Sequence, residues 1–298
     1  MTLRQGIRQT RFYQAMVKAW APVLLRLAPN WTYRQVDDLL LTPRKNKTTA
    51  LKIPGSIKSF TIPTPQGRIS AYEQGQGPTV VLVHGWSASA QVYFPLMRGL
   101  AQLGFRALAF DHFAHGQSEG QQASLKRFIF AVNHVLHHVQ KRSTDGLAAL
   151  VGHSMGCVAV ANIPPTQIGE TPLFFISPVF NFRKYYTKQV HLLGLHPSLS
   201  KQYLSRFEQN YKNDLEWMEL ALKLAPLAGQ TVIAHDRSDD ETPFVDSVKF
   251  CADHPLTRLL VTRGLGHQRI INSESVWQQL KAHLNYEDIT ANPFQKCS

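Results

Sequence analysis

The chain has 298 residues, 44% hydrophobic and 17% charged, with a formal charge of +12. Such a balance belongs to an ordinary globular protein and excludes the disordered and fibrous classes. Cys157, Cys251 and Cys297 are widely spaced and form no C-x-x-C pair, which argues against a disulfide framework and a structural zinc site.

A reducing interior such as the cytoplasm fits that cysteine usage. No run of about 18 apolar residues offers a transmembrane helix. The charge is uneven: residues 1–60 carry eleven basic side chains and two acidic ones, Asp37 and Asp38, most of the whole surplus. The basic character therefore belongs to an N-terminal arm.

In that arm, Tyr13, Met16, Val17, Trp20, Leu24 and Leu27 recur at steps of three and four, one face of a helix. Pro22 kinks that helix or starts another, and Thr32 is placed to cap a further helix ending near Pro43. The arm can pack its apolar face on the main domain, lie on an anionic membrane surface, or serve as an organelle-targeting leader. Packing on the main domain is the expectation, with peripheral membrane contact as the alternative. The scattered basic residues form no nucleic-acid motif, so no nucleic-acid partner is expected.

From residue 58 strands and helices alternate. Ile57–Ile62 and Arg68–Glu73 read as a hairpin. Thr79–Val83, Arg106–Phe110, Leu147–Val151, Leu173–Ile176, Val232–Ala234 and Arg258–Thr262 read as buried parallel strands. Helical patterns near Ala90–Leu103, Leu125–Val139, Phe244–Cys251 and Ser275–Leu284 lie between them. The expected class is α/β, a mostly parallel central sheet flanked by helices. The stretch 178–229 lacks a strand candidate but has ample helical pattern, including Tyr203–Phe207 and Leu215–Leu224, and is too long for a connection in a compact domain. The expected domains are an arm at 1–57, a core at 58–177 and 230–290, and a helical cap at 178–229.

Gly152-His153-Ser154-Met155-Gly156 carries the chemistry. It follows an apolar strand and precedes a helix-compatible segment, the setting a nucleophile elbow demands. A serine hydroxyl needs a base, and the base needs an orienting acid; the chain order with such an elbow is serine, acid, histidine. His267 sits in the glycine-rich loop directly after the last strand. His254 lies on the wrong side of that strand, and His283, in the final helix, reads as a surface residue. For the acid, the loop His235–Pro243 offers four carboxylates. Asp239 is best placed, with Asp240 and Asp236 as alternatives.

The oxyanion donors would be the backbone N–H groups of Met155 and of Trp86, in the loop His84-Gly85-Trp86. Trp86 and His153 are the expected walls of the substrate pocket. His84 and Asp111 read as loop-bracing residues. No ligand cluster for a metal or organic cofactor is visible in the sequence.

His84-Gly85-Trp86, Asp111-His112-Phe113-Ala114-His115-Gly116-Gln117-Ser118, the serine elbow, Asp239 ahead of Pro243 and Gly264-Leu265-Gly266-His267 occur in order. Together they resemble bacterial α/β-hydrolases of the esterase/lipase type over residues 58–285. The resemblance implies the α/β-hydrolase fold, a Ser154–Asp239–His267 triad and hydrolysis of a small carboxylic ester or thioester through an acyl-enzyme, without cofactor. It also implies that the Asp111–Ser118 loop shapes the site without moving protons. Phe113-Ala114 replaces the Pro-Gly usual there, a change in loop stiffness. An acyltransferase, a carbon–carbon bond hydrolase or a perhydrolase would keep the same triad, and a non-catalytic ligand-binding protein is the rival from another class. Substrate and oligomeric state stay open.

Overall fold

The structure is a computed structural model; it describes residues 19–20, 23–44, 53–142, 145–211 and 219–284. Tyr13, Met16, Val17, Cys297 and the predicted helical stretch 215–218 lie outside them. Eight strands form the sheet: β1 (Lys58–Thr64), β2 (Gly67–Gln74), β3 (Thr79–Val83), β4 (Arg106–Phe110), β5 (Leu147–His153), β6 (Leu173–Ile176), β7 (Thr231–Asp236) and β8 (Arg258–Thr262). Their spatial order is β1-β2-β4-β3-β5-β6-β7-β8. The hairpin β1–β2 and the pair β2–β4 are antiparallel, and every other neighbouring pair is parallel.

Burial follows this order. Every residue of β3, β6 and β7 is buried, whereas edge strand β1 shows a largely exposed pattern. A parallel strand covered on both faces must be apolar throughout, which is why these segments read as continuous hydrophobic runs. Successive side chains point to opposite faces. Val80, Leu82, Ala107, Ala109, Ala149, Val151, Phe174, Ile176, Val232 and Ala234 share one core with Met97, Leu100, Val276 and Leu280. The last four come from the flanking helices Phe94–Gln102 and Glu274–His283. His283 is half-buried near the Phe174 ring and is not the surface residue expected.

A second unit combines the residues up to Pro43 with Asn181–Glu219. Among its helices are α1 (Pro29–Leu41), α2 (Phe182–Leu192) and α3 (Pro197–Tyr211), numbered within this unit. Val36 of α1 is buried with Val190, Leu195, Leu199 and Tyr203 of the inserted segment. The Tyr203 hydroxyl donates to Asp37 Oδ1 at 2.6 Å and bonds the Tyr186 hydroxyl at 2.9 Å.

The buried partners of α1 come from the inserted segment, and Trp20 and Leu27 are exposed. One expectation for the arm is corrected here. Thr32 does not cap a helix: Pro29, with its preset φ, opens α1, and the Thr32 hydroxyl bonds back to the Ala28 carbonyl at 3.0 Å.

Candidate active site

Ser154 stands between β5 and the helix Met155–Ala161, with φ 53° and ψ −120°. A non-glycine residue in this region is strained, and surrounding structure must enforce it. The Ser154 amide donates to the Ile176 carbonyl of β6 at 2.9 Å, fixing the turn to the neighbouring strand. Space for the turn comes from the glycines on either side. A Cβ on Gly152 would stand 2.9 Å from Cys157 Cα, and one on Gly156 would collide with the Val83 carbonyl oxygen. On the next loop, a Cβ on Gly85 would come within 2.8 Å of Ser154 Cβ.

The candidate base and acid follow the two strands beyond β6. His267, on the short helix Gly266–Arg269 after β8, is buried. Its Nδ1 donates to Asp239 Oδ2 at 2.7 Å. Since a carboxylate only accepts, this bond assigns the proton to Nδ1 and leaves the Nε2 lone pair able to take another. Glu241 Oε2 lies 3.7 Å from that Nε2.

Asp239 is held from several sides. Its Oδ1 accepts the Glu241 and Thr242 amides, both at 2.9 Å, and its Oδ2 accepts the Thr242 hydroxyl at 3.0 Å. Burial pushes the Asp239 carboxyl up, but hydrogen bonds from His235, His267 and the Thr242 amide, with the charge of His267, hold it well below the usual carboxylate range. The structure thus brings Asp239 and not its competitors to His267. Asp240 is exposed. Asp236 ties β7 to β8, accepting the Thr262 hydroxyl at 2.7 Å and the amides of Leu265 at 3.1 Å and Ser238 at 2.8 Å.

Thr242 escaped the sequence reading. Its signal is the Asp-x-x-Thr spacing, in which an aspartate bonds backbone amides two and three residues on and so shapes its own turn.

His153 also takes a place the sequence did not suggest. Expected as a pocket wall, it is buried, with Nε2 donating to the His267 carbonyl at 2.9 Å. The reason is positional. It ends β5, next to β6, and its ring packs 4.7 Å from that of His267. Burial and the neighbouring His267 push its pKa down to about 3, so it stays neutral beside a charged His267.

The loops after β3 and β4 interlock. His84 donates from Nδ1 to the Gly85 carbonyl at 2.7 Å and accepts the His112 amide on Nε2 at 3.1 Å. Asp111 accepts the Ala90 amide on Oδ1, and the Gln117 amide and Tyr72 hydroxyl on Oδ2. His115 Nε2 accepts the Ser87 amide at 3.0 Å. Ala114 adopts φ 64°, a left-handed conformation that costs an alanine more than the glycine it replaces. The Trp86 ring is half-buried and stacks on Phe128 with centroids 5.9 Å apart. Met155 opens a helix, where first-turn amides lack an intrahelical acceptor.

This arrangement of sheet and loops has relatives among known proteins. An esterase from Pyrococcus furiosus superposes with a TM-score of 0.62 at 18% identity, covering 81% of this chain and 98% of that one. By sequence, human monoglyceride lipase is 39% identical over 80 residues, 26% of each chain. An epoxide hydrolase of Caballeronia sordidicola is 29% identical over 111 residues, 37% of this chain and 33% of that protein. The matched stretch thus spans only about a quarter to a third of these curated relatives. The model of the family described as serine aminopeptidase, S33, matches residues 76–281, from the turn before β3 to the final helix, and the chain belongs to that family of α/β-hydrolases.

Proposed function

We propose that the protein hydrolyses a carboxylic ester, or thioester, of a small molecule through an acyl-enzyme. The observation that carries this reading is the 2.7 Å bond between His267 Nδ1, on the short helix after β8, and Asp239, in the turn after β7, beside the strained Ser154 turn. Ser154 Oγ attacks the carbonyl carbon as His267 Nε2 takes its proton. The tetrahedral oxyanion is held by the Met155 and Trp86 amides. His267 then returns the proton to the leaving group, and water, deprotonated by the same nitrogen, releases the acid. Asp239 stays ionised throughout and stabilises the imidazolium.

A fluorophosphonate probe tests this directly. Wild-type protein is expected to be labelled and Ser154→Ala to remain unlabelled; folded wild-type protein that resists labelling rejects the reading. Turnover of acyl esters of increasing chain length then identifies the substrate class.

For a partner, the arm favours an anionic membrane surface. Trp20 is 57% exposed, Leu27 78% and Trp31 46%, with Val23 between them, at steps of three and four. Exposed Arg26 and Arg34 accompany them, and the first sixty residues carry most of the positive surplus. Exposed indoles with basic side chains suit the headgroup region of a bilayer. No helix among the described residues is long and apolar enough to cross a membrane, and the contact proposed is a peripheral one. Leu27→Glu/Trp31→Glu should abolish co-sedimentation with mixed phosphatidylserine–phosphatidylcholine vesicles. Equal binding by wild type and variant rejects this contact.

A further inference from the structure

His235 is the penultimate residue of β7 and is fully buried. Its Nε2 lies 3.2 Å from the Thr242 carbonyl oxygen and 3.3 Å from Asp239 Oδ2. Both neighbours only accept, so Nε2 carries the proton and shares it between them. On the other side of the ring, Nδ1 is 2.7 Å from Ser247 Oγ. Ser247 is a buried residue of the helix Phe244–Asp253. With Ser247 Oγ as the partner of Nδ1, the imidazole is satisfied at both ends.

One carboxylate oxygen therefore faces two imidazoles. Asp239 Oδ2 is 2.7 Å from His267 Nδ1 and 3.3 Å from His235 Nε2. The mechanism above uses only the first. A buried charge needs donors enough to replace water, and a carboxylate that must aim at a single nitrogen needs them placed so that it cannot turn.

We propose that His235 is a positioning residue for the acid: its Nε2–H holds the same Asp239 Oδ2 that accepts from His267, fixing the carboxylate's aim and setting how much of its charge reaches the base. The proposal rests on the triad reading. It makes the working line Ser154–His267–Asp239–His235, anchored at its inner end by Ser247. The ionisable groups around His235 are Asp239 and, through it, His267, with Asp236 on its own strand. Glu241 and His153 face His267 in turn. The Arg237 guanidinium lies over the Phe244 ring that packs edge-on against His235.

Two substitutions separate the two ends of the ring. His235→Gln places an amide donor where Nε2 stood and loses the Ser247 bond. His235→Asn keeps a partner for Ser247 and withdraws the donor from Asp239. The expected result is that the Asn variant loses about 10- to 100-fold in kcat with KM nearly unchanged. The acidic limb of its kcat/KM profile should move up by about half a pH unit, because an Asp239 with one donor fewer presents more charge to His267. The Gln variant should stay within about threefold of wild type with its limb in place. Ser247→Ala, which leaves the Nε2 donor untouched, should keep the wild-type limb. Equal loss in the Gln and Asn variants, an unmoved limb in Asn, or a shifted limb in Ser247→Ala overturns the proposal. Fluorophosphonate labelling distinguishes this failure from failure of the hydrolase reading. If wild type labels and the Asn variant labels equally fast, only the role of His235 falls; if wild type does not label, the triad itself falls.

Discussion

At the scale of single residues, the site depends on hydrogen-bond direction. Asp239 accepts from two amides, a threonine hydroxyl and His267, so its replacement by an amide would force a donor against donors. Asp239→Asn would also let His267 adopt the tautomer with its proton on Nε2, facing the serine it should deprotonate. Turnover should fall on the order of 10⁴-fold, with the circular-dichroism spectrum unchanged; near-normal turnover would reassign the acid. The candidates Ser154 and His267 were readable from a motif and from a position relative to a strand, whereas Asp239 was the best placed of several carboxylates, and Thr242 had its signal in the Asp-x-x-Thr spacing. The contacts of His153 and His235 were not readable, because nothing in their local sequence says which carboxylate or carbonyl they will meet.

Among elements, the parallel strands were legible because burial on both faces forces a continuous apolar run, as in Thr79–Val83. Strand ends were less so: β7 continues through His235 and Asp236, polar residues that are buried by their neighbours. Helix α1 shows the opposite failure. Thr32 looked like a cap, yet Pro29 set the start. The inserted segment coheres through a polar chain as well as its apolar cluster. Tyr203 supplies a donor to Asp37 and a partner to Tyr186, and burial pushes its own ionisation far above the usual range. Tyr203→Phe leaves the Asp37 carboxylate short of a donor. It should cost about 1–2 kcal/mol, read as a lowered urea midpoint followed by a signal from the inserted helices.

For the molecule as a whole, buried ionisable groups dictate the pH dependence of stability. Burial pushes His84 down to about 4 and His153 down to about 3. Below the ordinary histidine range, near 6.5, the unfolded chain binds protons that these rings refuse in the fold, so stability falls as pH falls. Asp236 acts later. Burial raises its pKa, but the Thr262 hydroxyl and the Ser238, Leu265 and Gly266 amides bring it down to about 2. Its contribution is complete above the unfolded carboxylate value, near 3.9, and is lost as pH drops toward 2. Urea midpoints should therefore decline continuously from about pH 7 to about pH 4, with Asp236 adding its share below about pH 4. A midpoint constant between about pH 7 and pH 5 would contradict the assignment of neutral buried histidines.

The sequence by itself determined the class of fold and singled out the nucleophile and base proposed here, because these rest on local patterns: apolar runs at strand length, glycines flanking a serine, a histidine just past the last strand. Which carboxylate serves the base was decided only in three dimensions, where the turn after β7 directs Asp239 to His267 and Asp236 to β8. The partners of the arm were decided there too: α1 shares its buried cluster with the inserted segment, some 150 residues away in sequence. The physical reason is the same in both cases. Periodicity and turn chemistry act over a few residues, whereas the choice among equivalent donors, acceptors and apolar faces is made by whichever distant element comes within bonding distance.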